Sequence, residues 1–419
     1  MDDLLFARGQ MALSLAFHIV FAAIGMAMPL LMVIAEVRWR RSGHPDDLAL
    51  AKAWAKGTAV LFAVGAVSGT VLAFELGLLF PGFMRHAGAI IGLPFSLEGF
   101  AFFTEAIFLG LYLYGWDRVA PRVHIFAGVV VTVSGLASAV FVTIANAWMN
   151  APVGFRFADG EFSNIDPIAA MQSPFVLHEV LHMAVAAYLA TALAAAGVHA
   201  WALRRRPDSS FHRRALGIAL AVVVPTALAQ PVIGHFAGQR VAVHQPMKLA
   251  AMEGLVETTA RAPLRIGPIE IPGGLSFLAF GDTNAVVKGL AEIPRADWPP
   301  GVVRIAWQLM VLIGTALAGL AMWVAARFVR RRATWTASRL FLGALVLASP
   351  LGFVATEAGW VVTEVGRQPW IVYGIMRTSD AVTPMPGLVT PFVVFTLIYI
   401  GLAAAVVFVL RRQFRATVA

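Results

Sequence analysis

The sequence predicts an all-α integral membrane protein, a bundle of about nine transmembrane helices, on three observations. First, 59% of its 419 residues are apolar and only 13% are charged, which lies outside the range of soluble globular chains. Second, nine apolar stretches are long enough to cross roughly 30 Å of hydrocarbon as helices. They lie near 11-35, 55-79, 93-115, 123-147, 175-203, 213-235, 301-327, 338-362 and 388-410. Third, Lys and Arg alternate between connections. Residues 36-57 carry five (Arg38, Arg40, Arg41, Lys52, Lys56), 204-214 five, 327-339 five and the tail three; 116-122 carry Arg118 and Arg122, and the intervening short loops one or two each. The positive-inside rule then puts the N-terminus outside and the C-terminus in the cytoplasm, as an odd number of spans requires.

The net charge of +9 is thereby assigned to one face of a lipid bilayer and is no sign of nucleic-acid binding. The absence of cysteine excludes disulfides, thiolate metal sites and Cys-ligated iron–sulfur clusters, leaving His, Met and carboxylates as ligands. The start, MDDLLFARGQ, is acidic and runs into a full-length span, so no cleaved signal peptide is expected. Residues 1-419 read as one transmembrane domain without internal repeats. The single long connection, 236-300, falls on the outer side and is rich in Gly, Pro and charge; loops of this length are usually functional or disordered.

Taken in order, span 1 carries His18 about two turns in from its outer end. Span 3 carries Glu98 just inside its outer end and Glu105 two turns deeper on the same face. Span 5 opens with His178 and His182, and span 7 carries Met310 in its third turn. Span 8 ends in TEAGWVVTEVGRQPW, Thr356 to Trp370, where Glu357 and Glu364 precede a Gly-Arg-Gln-Pro-Trp turn. Glu36 and Glu75 lie nearer span ends and read as structural or interfacial. An ionisable residue inside a span is costly and marks a functional site by default.

At about 1.5 Å per residue, five helices place a possible metal or haem ligand in the outer third of the bilayer: His18, Glu98, His182, Met310 and Glu357. Alone, such a His is often a hydrogen-bonded packing residue and a Met often fills a gap; the shared depth argues for all of them together. A His and a Met on different helices can form a low-spin haem pair, whereas a lone His or carboxylate leaves iron open to dioxygen. Glu105 reads either as a carboxylate bonded to a neighbouring helix or as a proton relay, since reducing dioxygen inside the bilayer consumes protons.

Residues 178-182, His-Glu-Val-Leu-His, also form a literal HExxH, the ligand pattern of zinc metalloproteases, some of which are intramembrane. That alternative requires a third protein ligand, for which no downstream acidic motif stands out. It also leaves His18, Glu98, Met310 and Glu357 without a role.

The motifs RGQMALSLAFH at 8-18, EAIFLGLYLYGW at 105-116, NAWMNAPVGF at 146-155, QPMKLAAMEG at 245-254 and GRQPW at 366-370 resemble subunit I of the cytochrome bd quinol oxidases, of the short Q-loop type. The resemblance covers essentially the whole chain. It implies a non-pumping, electrogenic quinol:dioxygen oxidoreductase of the bacterial cytoplasmic membrane. Such an enzyme oxidises ubiquinol or menaquinol at the outer face and reduces dioxygen to water with cytoplasmic protons. It further implies a second integral-membrane subunit, subunit II, with a small accessory subunit as an optional addition.

By the same resemblance His182 and Met310 are the axial pair of a low-spin haem b. His18, Glu98 and Glu357 are ligands of two high-spin haems, one b and one d, with the assignment among the three left open. Lys248 and Glu253 resemble the quinol-binding pair of the outer loop, where a carboxylate can accept a quinol proton and an ammonium can bond its oxygen. Arg367 and Trp370, at interfacial depth, are placed to meet haem propionates or to order the quinol loop, with Glu364 as the partner of Arg367.

The sequence departs from the family pattern at several points. Gln308 stands where the family carries Arg two residues before the ligand Met, with Arg304 one turn earlier as a substitute. Glu98 precedes Glu105 by seven residues rather than eight, and His178 is an additional histidine. These departures admit a divergent bd-like oxidase with altered haem content, haem b in place of haem d.

Overall fold

The computed structural model describes residues 2-158, 160-266, 269-330, 336 and 338-418. Arg331 and Arg332, two of the five cations expected in the 327-339 connection, lie outside the described residues. Among the described residues nine helical segments are long and apolar enough to cross a membrane.

The helices are α1 (Asp2–Ser42), α2 (Pro45–Leu79), α3 (Pro81–Tyr114), α4 (Pro121–Asn150), α5 (Pro167–Ala170), α6 (Val176–Arg205), α7 (Ser210–His244), α8 (Pro246–Glu253), α9 (Gly274–Phe280), α10 (Val302–Arg330), α11 (Arg339–Ala348), α12 (Leu351–Val365), α13 (Thr378–Ala381) and α14 (Val389–Val418). The long ones outrun the apolar stretches: α3 begins at Pro81 rather than near 93, and α7 ends at His244 rather than near 235. Outside hydrocarbon a helix needs only capping, which hydropathy does not register. The His44 side chain accepts from Asp46 N ahead of α2, Ser209 caps α7 and Ser338 caps α11, each satisfying an orphan amide of a first turn.

The eighth span is one apolar stretch but two helices, α11 and α12, broken at Ser349-Pro350, where proline removes an amide donor and crowds the preceding turn. The broken span packs closely on α6. A Cβ on Gly352 would lie 2.5 Å from Ala190 Cα, and one on Gly197 would overlap Ser349. In lipid, small residues of this kind let backbones approach and supply dispersion contacts.

The bundle has two unlike ends. At the basic end Arg214 holds buried Asp47, with Nε to Oδ1 at 2.7 Å. There too, the His124 ring lies 2.9 Å from Glu36 through Nδ1 and donates through Nε2 to Tyr112 O at 2.9 Å. The largest apolar core cluster joins α1, α2, α3, α4, α6, α7, α10 and α11. At the loop-rich end the connections are ordered rather than irregular. They carry four antiparallel two-stranded pairs: β1 (Arg156–Ala158) with β2 (Glu161–Ser163), β3 (Thr259–Ala260) with β6 (Val286–Val287), β4 (Leu264–Ile266) with β5 (Ile269–Ile271), and β7 (Trp370–Val372) with β8 (Met376–Arg377). The long connection thus starts at residue 245, opens with α8 and includes α9.

Candidate active site

Contacts between helices fix a common depth scale. Thr191 Oγ1 donates to Ala23 O at 3.1 Å, which levels α1 with α6, and the Gly352 approach to Ala190 levels α12 with α6. At about 1.5 Å per residue, His18 and Glu357 then share a level, about one turn further from the loop-rich end than His182. Glu98 reaches that level from α3: Glu105, two turns along, faces Gly25 of α1 and Gly135 of α4, where a Cβ would lie 3.1 Å from its carboxylate. Met310 faces Gly359, where a Cβ would meet its Sδ at 3.1 Å, so Met310 stands level with His182.

Four helices close a ring around that level. α6 packs on α7 and α12, and α10 packs on the same two, so His182 on α6 and Met310 on α10 come from opposite sides. The His182 ring lies against α7, where Gln230 Nε2 is 3.1 Å from His182 O and 3.3 Å from each ring nitrogen. A Cβ on Gly234 would lie 3.1 Å from its Cε1. Small residues therefore flank both side chains.

The other ligand candidates are held as iron ligands need to be. Ser68 Oγ lies 3.0 Å from Val64 O and 3.0 Å from His18 Nδ1. With the serine proton directed to the carbonyl, Nδ1–H donates to Oγ and Nε2 keeps the lone pair. This is the outer-sphere hydrogen bond that fixes the tautomer of a ligating histidine. A Cβ on Gly69 would lie 2.9 Å from His18 Cε1, so that glycine makes room for the ring. Glu357 Oε1 is sealed from solvent without a partner, and Glu98 is half-buried. The donor set, two neutral imidazoles, a thioether and two carboxylates, suits haem iron.

A second polar group lies nearer the loop-rich end and joins α4, α6, α8 and the end of α12. Lys248 is buried and donates to Asn150 Oδ1 at 2.7 Å and to Thr363 O at 3.2 Å. Gln245 Nε2 donates to Asn150 O at 2.9 Å. Arg367, 2% exposed, donates through Nη2 to Glu364 at 2.6 Å, and Glu364 also accepts from Asn146 Nδ2. The guanidinium keeps Nε and Nη1 without acceptors. Glu179 lies within electrostatic reach of Lys248, Glu364 and Arg367, and neither of its oxygens has a hydrogen-bond partner. Burial pushes the Lys248 ammonium down to about 7, with Arg367 adding to the shift and Glu179 and Glu364 opposing it.

Lys248 and Glu253, paired by the resemblance, do not bond to each other among the described residues. Glu253 accepts from Trp307 Nε1 at 2.8 Å; burial raises its carboxyl, while that bond and Arg304 pull it back. Arg304 lies over Gly254, 2.6 Å from a Cβ there to Nη1, and the φ of 68° favours glycine at that position. Arg304 thus serves Glu253, and Gln308 is exposed. Trp370 has Arg377 over its ring at 5.0 Å, and Arg377 is paired with Asp297 at 2.8 Å.

The HExxH histidines diverge in role. His178 accepts at Nε2 from Arg240 Nε at 3.2 Å, and Glu179 turns to the lysine cluster. Among the described residues no group of three His, Asp or Glu is placed to hold a metal by itself. The zinc protease alternative is therefore set aside.

Ser68, Gln230 and Glu179 were not singled out by sequence as site residues. Asn146, Asn150 and Gln245 lie inside the quoted motifs NAWMN and QPMKL, which was their only signal.

Comparison with known proteins identifies the family and the fold. The family description "Cytochrome bd terminal oxidase subunit I" matches residues 6–418. A Bacillus subtilis (strain 168) protein named as a candidate cytochrome bd menaquinol oxidase subunit I is 36% identical, covering 99% of this chain and 97% of its own. The cytochrome bd ubiquinol oxidase subunit 1 of the same organism is 29% identical, covering 99% and 94%. The solved bd oxidase of Geobacillus thermodenitrificans superposes with a TM-score of 0.92 at 39% identity over 99% of each chain. Sequence and fold converge, and the chain belongs to the family of cytochrome bd terminal oxidase subunit I.

Proposed function

We propose that this chain is the haem-bearing subunit of a quinol:dioxygen oxidoreductase, with quinol oxidised at α8 and dioxygen reduced deeper in the bundle. The observation that carries the reading is the α6, α7, α10, α12 ring, which presents His182 and Met310 at one level from opposite sides. In this reading the two hold a low-spin haem b. His18, Glu98 and Glu357, one turn deeper, hold two high-spin haems, a haem b and either haem d or haem b in its place. The haems supply one-electron transfer and dioxygen reduction when bound.

The chain's own residues supply the rest. Lys248 and Glu253 bind the quinol hydroxyls, Arg367 offers two free donors to a haem propionate, and Glu105 moves protons toward the oxygen site. The loop-rich end faces outward and the basic end faces the cytoplasm, so protons leave on one side and enter on the other. The chain works in the bacterial inner membrane with subunit II.

The test is a reduced-minus-oxidised spectrum with haem extraction on the complex purified with its partner subunit. Three haems and quinol-dependent oxygen uptake are expected, and the extracted haems decide between d and b. A preparation without haem would overturn the reading. Glu357→Gln and Glu364→Gln are compared in the same assay: loss of a high-spin haem is expected in the first, and its loss in the second alone would transfer the ligand role to Glu364.

A further inference from the structure

Among the described residues Glu179 is a carboxylate of the loop-rich cluster to which the quinol reading gives no role and the structure gives no hydrogen bond. Both of its oxygens are closed off from solvent and neither meets a donor, a state that is costly for an isolated carboxylate and implies a charge partner. The cations that act on it are Lys248 and Arg367. Arg367 is already paired with Glu364 at 2.6 Å, which leaves Lys248 and Glu179 to balance each other.

Two of the three Lys248 protons are accounted for, by Asn150 Oδ1 and Thr363 O; the third is free to be exchanged. Glu253 is tied to Trp307 on the far side of α8 and makes no bond to the lysine. Among the described residues the charged groups that act on Glu179 are Lys248, Glu364 and Arg367; α4 meets the cluster with the amides of Asn146 and Asn150, and Arg240 of α7 is bonded to His178. Along α6, Glu179 precedes His182 by one turn.

We propose that Glu179, acting through Lys248, is the internal proton acceptor of quinol oxidation. This rests on the reading of α8 as the quinol site. Quinol loses two protons and two electrons as it becomes quinone. One O–H bond breaks toward Glu253. The other breaks toward Lys248, which takes that proton as it passes its own to Glu179 by way of an intervening water, since the two side chains share no direct hydrogen bond, forming the carboxylic acid there. The two electrons leave through the redox centres of the enzyme to dioxygen. Burial, which lowers the Lys248 ammonium to about 7, makes the lysine able to exchange its proton near neutrality. Glu179 is on this view a positioning and proton-storing residue rather than a group in contact with quinol, and one turn separates the proton acceptor from the proposed electron acceptor.

The experiment uses the complex with its partner subunit in native membranes, with Glu179→Gln, Glu179→Asp and, as a control outside the cluster, His178→Gln. Glu179→Gln is expected to lower quinol-dependent oxygen uptake at least about tenfold, the lower part of the range for general acid–base groups being about a hundredfold. It is also expected to flatten the pH profile through neutrality, with dithionite-reduced haem spectra unchanged. Glu179→Asp recovers part of the rate, and His178→Gln keeps it. A Glu179→Gln enzyme with the wild-type rate and pH profile would overturn the proposal, and so would loss of haem in both Glu179 variants, which would make the residue structural. Lys248→Met separates the two readings: if it retains quinol oxidation, the quinol site itself is misplaced, whereas if it loses oxidation and Glu179→Gln does not, only the present proposal fails.

Discussion

Arg367 donates through Nη2 to Glu364 at 2.6 Å while its Nε and Nη1, enclosed by the protein, meet no acceptor. A guanidinium presents its donors as a planar fork, and leaving two of them unbonded in the interior is unfavourable unless an anion completes them. Arg367→Lys keeps the charge but replaces the fork with a point donor. Haem content per protein is expected to fall, read by pyridine extraction, with the helical circular-dichroism signal unchanged. Full haem content in this variant would show that the free donors meet no propionate.

The burial of Lys248 gives a stability slope of known sign. Its ammonium titrates at about 7 in the folded chain against an ordinary value of 10.5. Between those values the unfolded chain binds more protons, so stability rises with pH across that window. The cost of the buried charge is fully present below the lower value and is gone above the upper one. Thermal unfolding of wild type and Lys248→Met, compared as pH is raised from neutrality into the alkaline range, should show a rise in the wild type that the variant lacks. Parallel curves would mean that the lysine is hydrated in solution.

Close packing of α12 on α6 makes Gly352 a position where size alone decides the outcome. A Cβ there would lie 2.5 Å from Ala190 Cα and 3.0 Å from Ala190 Cβ, and neither backbone can yield as a flexible side chain could. Gly352→Val adds a Cβ and two methyl groups to that contact. Overpacking of this kind costs about 1–3 kcal/mol, and here it separates the helices that carry His182 and Glu357. Lower thermal stability together with lower haem content is expected, whereas Gly217→Val, at a glycine with nothing within 4 Å of an added Cβ, should be tolerated.

Much of this was legible in the sequence because membrane burial writes itself in composition. The nine spans, and the place of His18, Glu98, His182, Met310 and Glu357 within one outer zone, follow from apolar length and a fixed rise per residue, but their split into two levels a turn apart does not. Helix ends were not legible: α3 starts on a proline in its first turn and α7 closes with a backbone bond from Gln245 N to Val241 O, neither of which hydropathy weighs. Nor was the break at Ser349-Pro350, because proline is tolerated within other spans here, at Pro29, Pro94, Pro225 and Pro231. Glu179 was hidden by its neighbours, since the HExxH pattern tied it to a metal reading while the fold turns it toward Lys248, far away in sequence. Long-range pairings such as Lys248 with Asn150 have no local periodicity, and only the quoted motifs hinted at them.

The placement of Met310 can be tested without altering the methionine. Its Sδ lies 3.1 Å from where a Cβ on Gly359 would stand, so the facing helix leaves just enough room for the thioether in its present rotamer. Gly359→Ala asks the sulfur to shift by a few tenths of an ångström, which a flexible Met side chain can absorb. Gly359→Leu fills the space and forces Met310 into another rotamer, away from the level of His182. If Met310 and His182 share a low-spin haem, the alanine variant should keep its absorption band with a shifted midpoint potential. The leucine variant should lose the low-spin band and keep the high-spin ones, matching Met310→Leu. A leucine variant with an intact low-spin spectrum would remove Met310 from the ligand set, since no other change at Gly359 reaches the methionine so directly.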